Sequence, residues 1–292
     1  MQPCQWGAYF VASRALTFVS EVFIISSDAE RKPRLAASDY LNSAPLIWSF
    51  KQGSRKDKVT LVEAVPALCA ELLASGKVDI ALIPAIEYQR ITGVELVPDV
   101  CIASRESVRS VILATKFDDL KEVDSVALDE SSRTSATLVK IIFREFFGFE
   151  PQWTSAAPDL HRMLTDNDAA LIIGDPGMVF SRKGLNVFDV ATLWRRHTGL
   201  GFVFALWAIG PDASKESRRL DFVQVRDEGL RQAEEIIDFY QSLLGLSREE
   251  LWIYLHDNIS FSLDHELIAG LNLFYKLAFK HDLVPALKPL RL

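Results

Sequence analysis

Short apolar runs alternate with helix-period segments along most of the chain. The runs at 34–37, 58–63, 79–84, 97–103 and 110–114 are rich in Val, Ile, Leu and Ala. They are too short for stable helices and read as strands. Between them, 44–51 and 65–75 read as helices. Pro45 and Pro66 suit first turns, where a missing N–H costs little, and Gly76 stops the second helix. Strand, helix, strand in this order implies a mostly parallel sheet covered by helices. A second unit repeats the grammar. It has a strand at 125–128, a helix at 134–147 ended by Gly148, a short helix at 158–164, and a strand at 169–175 with a tight polar exit. The apolar strand 202–209 then returns the chain to the first unit. From 214 onward the pattern is helical, over 230–244, 248–256 and 264–281, with apolar faces suited to packing on that unit.

These elements predict an α/β protein of two lobes joined by two crossings. The expected division is 34–112 for the first part of lobe one, 113–201 for lobe two, and 202–292 for the return strand and closing helices. Ligands in such architectures lie in the cleft between lobes, near strand C-terminal ends and helix N-termini. Residues 1–33 precede the pattern. Their stretch 10–26 is apolar, but Glu21 interrupts it and the residues before it are not clearly basic. An upstream extension is expected there rather than a secretory signal.

Composition narrows the chemistry. The 292 residues are 49% hydrophobic with a formal net charge of −7. That argues against nucleic acid or an anionic membrane surface as the main partner. No run of about 18 apolar residues suggests a membrane span. Cys4, Cys69 and Cys101 lack CxxC or Cys/His ligand spacing, so buried or idle thiols are expected. The histidines are scattered, with no HExxH, and neither a GxSxG elbow nor a P-loop occurs. No metal or cofactor is expected. Each histidine reads by default as a surface or core residue, the alternative for His161, after Pro158-Asp159-Leu160, being that it reaches the cleft.

Candidate site residues gather at predicted strand ends. Tyr40, Asn42 and Ser43 fill the turn before helix 44–51, and Ser43 suits its N-cap. Asn42 then sits beside a helix N-terminus, where free N–H groups favour anions. Ser131, Ser132, Arg133, Thr134 and Ser135 surround the start of helix 134–147, where they either cap the helix or grip a carboxylate. Ser110 either faces the cleft or opens an ordinary strand after a solvated loop. Pro84 ends a strand at the expected rim, and Glu87 beside it reads as a helix-start charge. Gly174 allows close backbone approach. Asp175 either accepts a hydrogen bond from a ligand hydroxyl or simply belongs to the Gly-Asp-Pro-Gly turn.

Several segments, in order, resemble the chorismate dehydratase family of the futalosine route to menaquinone. They are Tyr40-Leu41-Asn42-Ser43-x-Pro45-Leu46, Gly76-x-x-Asp79-Ile80-Ala81-Leu82-Ile83-Pro84, and Ser131 to Ser135. Pro158-Asp159-Leu160, Asp168 to Asp175, and Trp194 with Thr198 to Trp207 follow. The similarity covers roughly 34–285. Asp39, Gly201 in place of a usual proline, and the N-terminal extension depart from the family pattern. The resemblance implies a two-lobed periplasmic-binding-protein-like (type II) fold and a cytoplasmic enzyme. It implies elimination of water from chorismate to give 3-[(1-carboxyvinyl)oxy]benzoate. Asn42 and Ser110 then orient the reacting groups, with a substrate carboxylate as a candidate proton acceptor. Tyr40, Ser43, Pro84, the 131–135 cluster, Gly174 and Asp175 become substrate-binding candidates. The competing reading is a non-catalytic receptor for a small carboxylate, using the same cleft. Fold does not separate the two, because function resides in the site. The sequence leaves the oligomeric state open.

Overall fold

Among the residues described by the computed structural model, 31–292, ten strands form two five-stranded sheets. The expectations for the extension and for Cys4 lie outside the described residues. The first sheet holds β1 (Arg34–Ala37), β2 (Thr60–Glu63), β3 (Ile80–Pro84), β4 (Glu95–Ser104) and β10 (Phe202–Ile209), in spatial order β2-β1-β3-β10-β4. The second holds β5 (Val111–Thr115), β6 (Ser125–Asp129), β7 (Gln152–Ala156), β8 (Ala169–Ile173) and β9 (Asn186–Asp189), in order β7-β6-β8-β5-β9. The chain crosses between sheets at 105–110 and at 199–201.

The sheets are mixed, which corrects the expectation of mostly parallel ones. β1 pairs parallel with β2 and β3, but β10 runs antiparallel to both β3 and β4. The second sheet repeats this: β6 is parallel to β7 and β8, while β5 is antiparallel to β8 and β9. The reason is topological. β5 and β10 are the first strands after each crossing and enter their sheets from the opposite end. Both are buried along most of their length, so their sequences read as continuous apolar runs whichever way they point.

One apolar cluster runs through both lobes, and a smaller one of Ile112, Ala127, Met163 and Leu164 lies on the second sheet. Trp194, Phe202 and Phe274 lock the second crossing, with ring centroids 5.4 and 5.0 Å apart in edge-to-face contacts. Cys69 and Cys101 are buried free thiols, and burial pushes the Cys69 thiol up to about 12.

Local differences from the sequence reading have local causes. The segment expected as one helix at 134–147 is α-helical over Thr134–Ile141 and then makes a π turn over Ile142–Phe147. Gly148, at φ 79°, ends it as expected. The tail helix expected at 230–244 is two helices, Phe222–Arg231 and Ala233–Leu244, broken at Gln232. Gly229 lets the first of these press on helix Ala44–Lys51, since a Cβ there would lie 2.0 Å from the Pro45 carbonyl oxygen.

Candidate active site

A cleft opens where β1, β3, β6 and β8 end and their following turns begin. Its open space, mouth included, is about 550 Å³. Lobe one contributes Ser38, Tyr40, Asn42, Pro66 and Pro84. Lobe two contributes Ser132, Arg133, Thr134, Ser135 and Gly174. Leu82, Ile102 and Phe204 form part of an apolar floor. Among the described residues, no Asp, Glu or His lines this cleft.

The hydroxyl cluster of lobe two does not serve as a cap. The N-cap of helix Thr134–Ile141 is Arg133, and no side chain closes its first turn. Its N–H groups are therefore available to an anion. Ser131 stands apart from the cleft lining. Its N–H and Oγ both donate to Asp129 Oδ1, at 2.9 and 2.6 Å. The Thr134 hydroxyl accepts from the Ile86 N–H at 3.2 Å, which ties the two lobes and leaves its own proton to donate.

Arg133 lines the cleft, but its guanidinium is engaged. It donates to Glu87 Oε2 at 2.9 Å and to Glu71, both in lobe one. It joins the lobes rather than offering a bare charge. Glu87 opens helix Glu87–Arg90, as its helix-start reading expects, and also pairs with Arg90 at 2.7 Å.

In lobe one, Asn42 lines the cleft and its Oδ1 accepts from the Ser43 hydroxyl at 3.3 Å. The capping role expected of Ser43 is corrected. Ser43 makes no side-chain cap bond, because its hydroxyl lies 2.6 Å from that of Ser38. Ser43 is fully buried behind the lining. Tyr40 lays its ring over Gly174 of lobe two. A Cβ on Gly174 would stand 2.7 Å from the ring, and the φ of +66° there also favours glycine. Burial and the Asp129 charge raise the Tyr40 phenol, opposed by its contact with the Ser131 side chain, so it remains a donor.

Asp175 lies beside the cleft rather than on its lining. Its Oδ1 accepts from the Leu41 N–H at 3.0 Å, a third bond between the lobes. Burial pushes its carboxyl up to about 6, with the Asp39 charge adding to the rise and the Leu41 N–H opposing it. Ser110 is fully buried between Val108 and Val111, which do line the cleft. Its Oγ accepts from the Tyr254 hydroxyl at 2.7 Å. His161 is corrected: it lines a separate groove on lobe two with Lys116 and Lys183. Sequence reasoning missed Ser38, Pro66 and Tyr254. The first two flank segments it did single out, whereas Tyr254 comes from a distant helical corner with no local signal. Among the described residues, no group of three or more His, Cys, Asp or Glu is placed to hold a metal ion.

Two mixed α/β lobes around a polar-rimmed cleft define a periplasmic-binding-protein-like protein. Solved structures agree on the fold. A protein of Archaeoglobus fulgidus matches with a TM-score of 0.71 at 16% identity, covering 86% of this chain and 98% of that one. The periplasmic aliphatic sulphonate binding protein of Escherichia coli matches at 0.59 and 15%, covering 89% and 93%. Within that fold the chain belongs to the menaquinone biosynthesis family, whose model matches residues 33–280. It is similar to the chorismate dehydratase of Thermus thermophilus, being 31% identical over 258 residues, or 80% of this chain and 91% of the relative.

Proposed function

We propose that this protein is a chorismate dehydratase of menaquinone biosynthesis, acting in the cytoplasm. The observation that carries the reading is a cleft with opposed polar walls, Asn42 on one side and Ser132, Thr134 and Ser135 on the other. Family membership and the Thermus relative support it. Chorismate carries two carboxylates, and each wall offers N–H or hydroxyl donors without an unpaired buried charge.

The reaction breaks the bond from a ring carbon to its hydroxyl and the C–H bond on the neighbouring ring carbon. Water leaves and the ring becomes aromatic, so product stability supplies much of the driving force. The protein must hold the substrate, align the leaving hydroxyl and manage one proton. Since no Asp, Glu or His among the described residues lines the cleft, a carboxylate of the substrate is our choice of proton acceptor. Asn42 orients the reacting groups by donating and accepting at once, and Ser110, at the end of the 105–110 crossing, shares that role.

The test is incubation of the purified protein with chorismate and detection of the aromatic product by mass. Turnover that persists after thorough chelation is expected. Tight binding of chorismate without product would instead favour the receptor reading.

A further inference from the structure

The crossing at 105–110 carries Ser110 and is held in a demanding conformation. Arg109 has φ +61°, a region that side chains rarely occupy. The Ser110 N–H turns back to the Val108 carbonyl at 2.7 Å. Three contacts from one helical corner hold this shape. Glu250, in helix Arg248–Ile253, accepts from Arg109 at 2.7 Å. Asn258 donates to the Ser107 carbonyl at 3.1 Å. Between them, Tyr254 begins the π turn Tyr254–Asn258 and donates to Ser110 Oγ at 2.7 Å.

The Tyr254 contact differs from the other two. Arg109 is held by its guanidinium and Ser107 by its carbonyl and hydroxyl, all partly buried contacts, whereas the hydroxyl that Tyr254 holds is wholly buried. Ser110 and Tyr254 are both essentially without solvent exposure, at 0% and 1%. A serine hydroxyl has one proton and rotates freely unless its neighbours choose for it. A donor on Oγ fills one lone pair and turns the Ser110 proton away from Tyr254.

We propose that Tyr254 is a positioning residue for the dehydration, its hydroxyl fixing the orientation of the Ser110 hydroxyl relative to the substrate. The inference rests on the function proposed above and on the role given there to Ser110. Tyr254 does not line the cleft, so it acts through this side chain and contributes little to substrate affinity.

The experiment compares the wild-type protein with Tyr254→Phe, Ser110→Ala and the double variant in steady-state chorismate turnover. Thermal unfolding of each is recorded alongside. Tyr254→Phe removes one oxygen and keeps the ring. We expect kcat to fall ten- to a hundredfold with KM changed less than threefold. In the Ser110→Ala background the same substitution should change kcat less than twofold, because its target is gone. Wild-type kcat in Tyr254→Phe overturns the proposal, and so do losses that multiply fully in the double variant. A Tyr254→Phe protein without a folded baseline at the assay temperature assigns the hydroxyl to folding and overturns it too. Absence of chorismate turnover by the wild-type protein is a separate result, which overturns the proposed function itself.

Discussion

At the residue scale, Asn42 and Asp175 lie near the contact from Leu41 to Asp175 and invite different tests. Asn42 lines the cleft in the most family-like motif. Asn42→Asp keeps the shape but replaces a donor with a negative charge facing a dianionic substrate. Turnover should fall at least a hundredfold while the melting temperature moves little, and Asn42→Ala should behave similarly. Wild-type rates in both would reduce Asn42 to a loop residue. Asp175 carries a carboxyl held up to about 6 by burial, against about 3.9 in an unfolded chain. Below about pH 4 both states keep the proton and no penalty exists. Between about pH 4 and pH 6 only the unfolded state ionises, so stability is lost as pH rises. Above that window the loss is complete, at most about 3 kcal/mol. Asp175→Asn keeps the Leu41 acceptor and avoids the penalty. Its stability advantage over wild type should therefore grow through this window in urea titrations. A difference that stays constant with pH would contradict a raised Asp175. Asn42, Thr134, Ser135 and Gly174 were legible because turn and helix-start chemistry is local. Tyr254 was not, because what gives it meaning is Ser110, 144 positions away.

At the element scale, the buried strands and the edges of the first sheet were legible, and the edges of the second sheet were not. β1, β3 and β8 are apolar runs closed by Ser, Pro or Gly, and their sequences admit few other structures. β7 and β9 are edge strands of five and four residues without a fully buried position. Their pairing comes from β6 and β5, which no local pattern records. The helix pair meeting at Gly229 shows the same dependence on context. In sequence that glycine looks like a flaw in a helix, costing about 1 kcal/mol against alanine. In the fold it admits the Pro45 carbonyl of the helix that follows Asn42. Gly229→Ala gains helix propensity but must displace that backbone. A net loss of about 1–3 kcal/mol is expected, with a melting temperature several degrees lower. Chorismate turnover should fall with it, because the displaced helix carries the Asn42 turn. A stabilised, fully active Gly229→Ala protein would show that the two helices separate at little cost.

At the scale of the whole molecule, direct polar contacts close the lobes on each other. The Leu41 N–H meets Asp175, the Ile86 N–H meets Thr134, and Arg133 reaches Glu87 and Glu71 across the cleft. The two-lobed class was legible from the order of elements. Closure was not, because it depends on which polar groups face one another once both lobes exist. The Arg133 contacts separate two roles for that residue. Glu71 is exposed and its pair is worth little, whereas Glu87 is 3% exposed and keeps only Arg90 when Arg133 is removed. If Arg133 serves closure, Arg133→Gln should raise KM for chorismate three- to tenfold and leave kcat within twofold. Small-angle scattering should show a larger radius of gyration for the free protein. Glu87→Gln should reproduce both changes from the other lobe, since it removes the same clasp. If Arg133 instead grips a substrate carboxylate, Arg133→Gln should raise KM and Glu87→Gln should lower it, by releasing the guanidinium to the substrate. Matching effects of the two substitutions assign Arg133 to closure, and opposite effects assign it to the substrate.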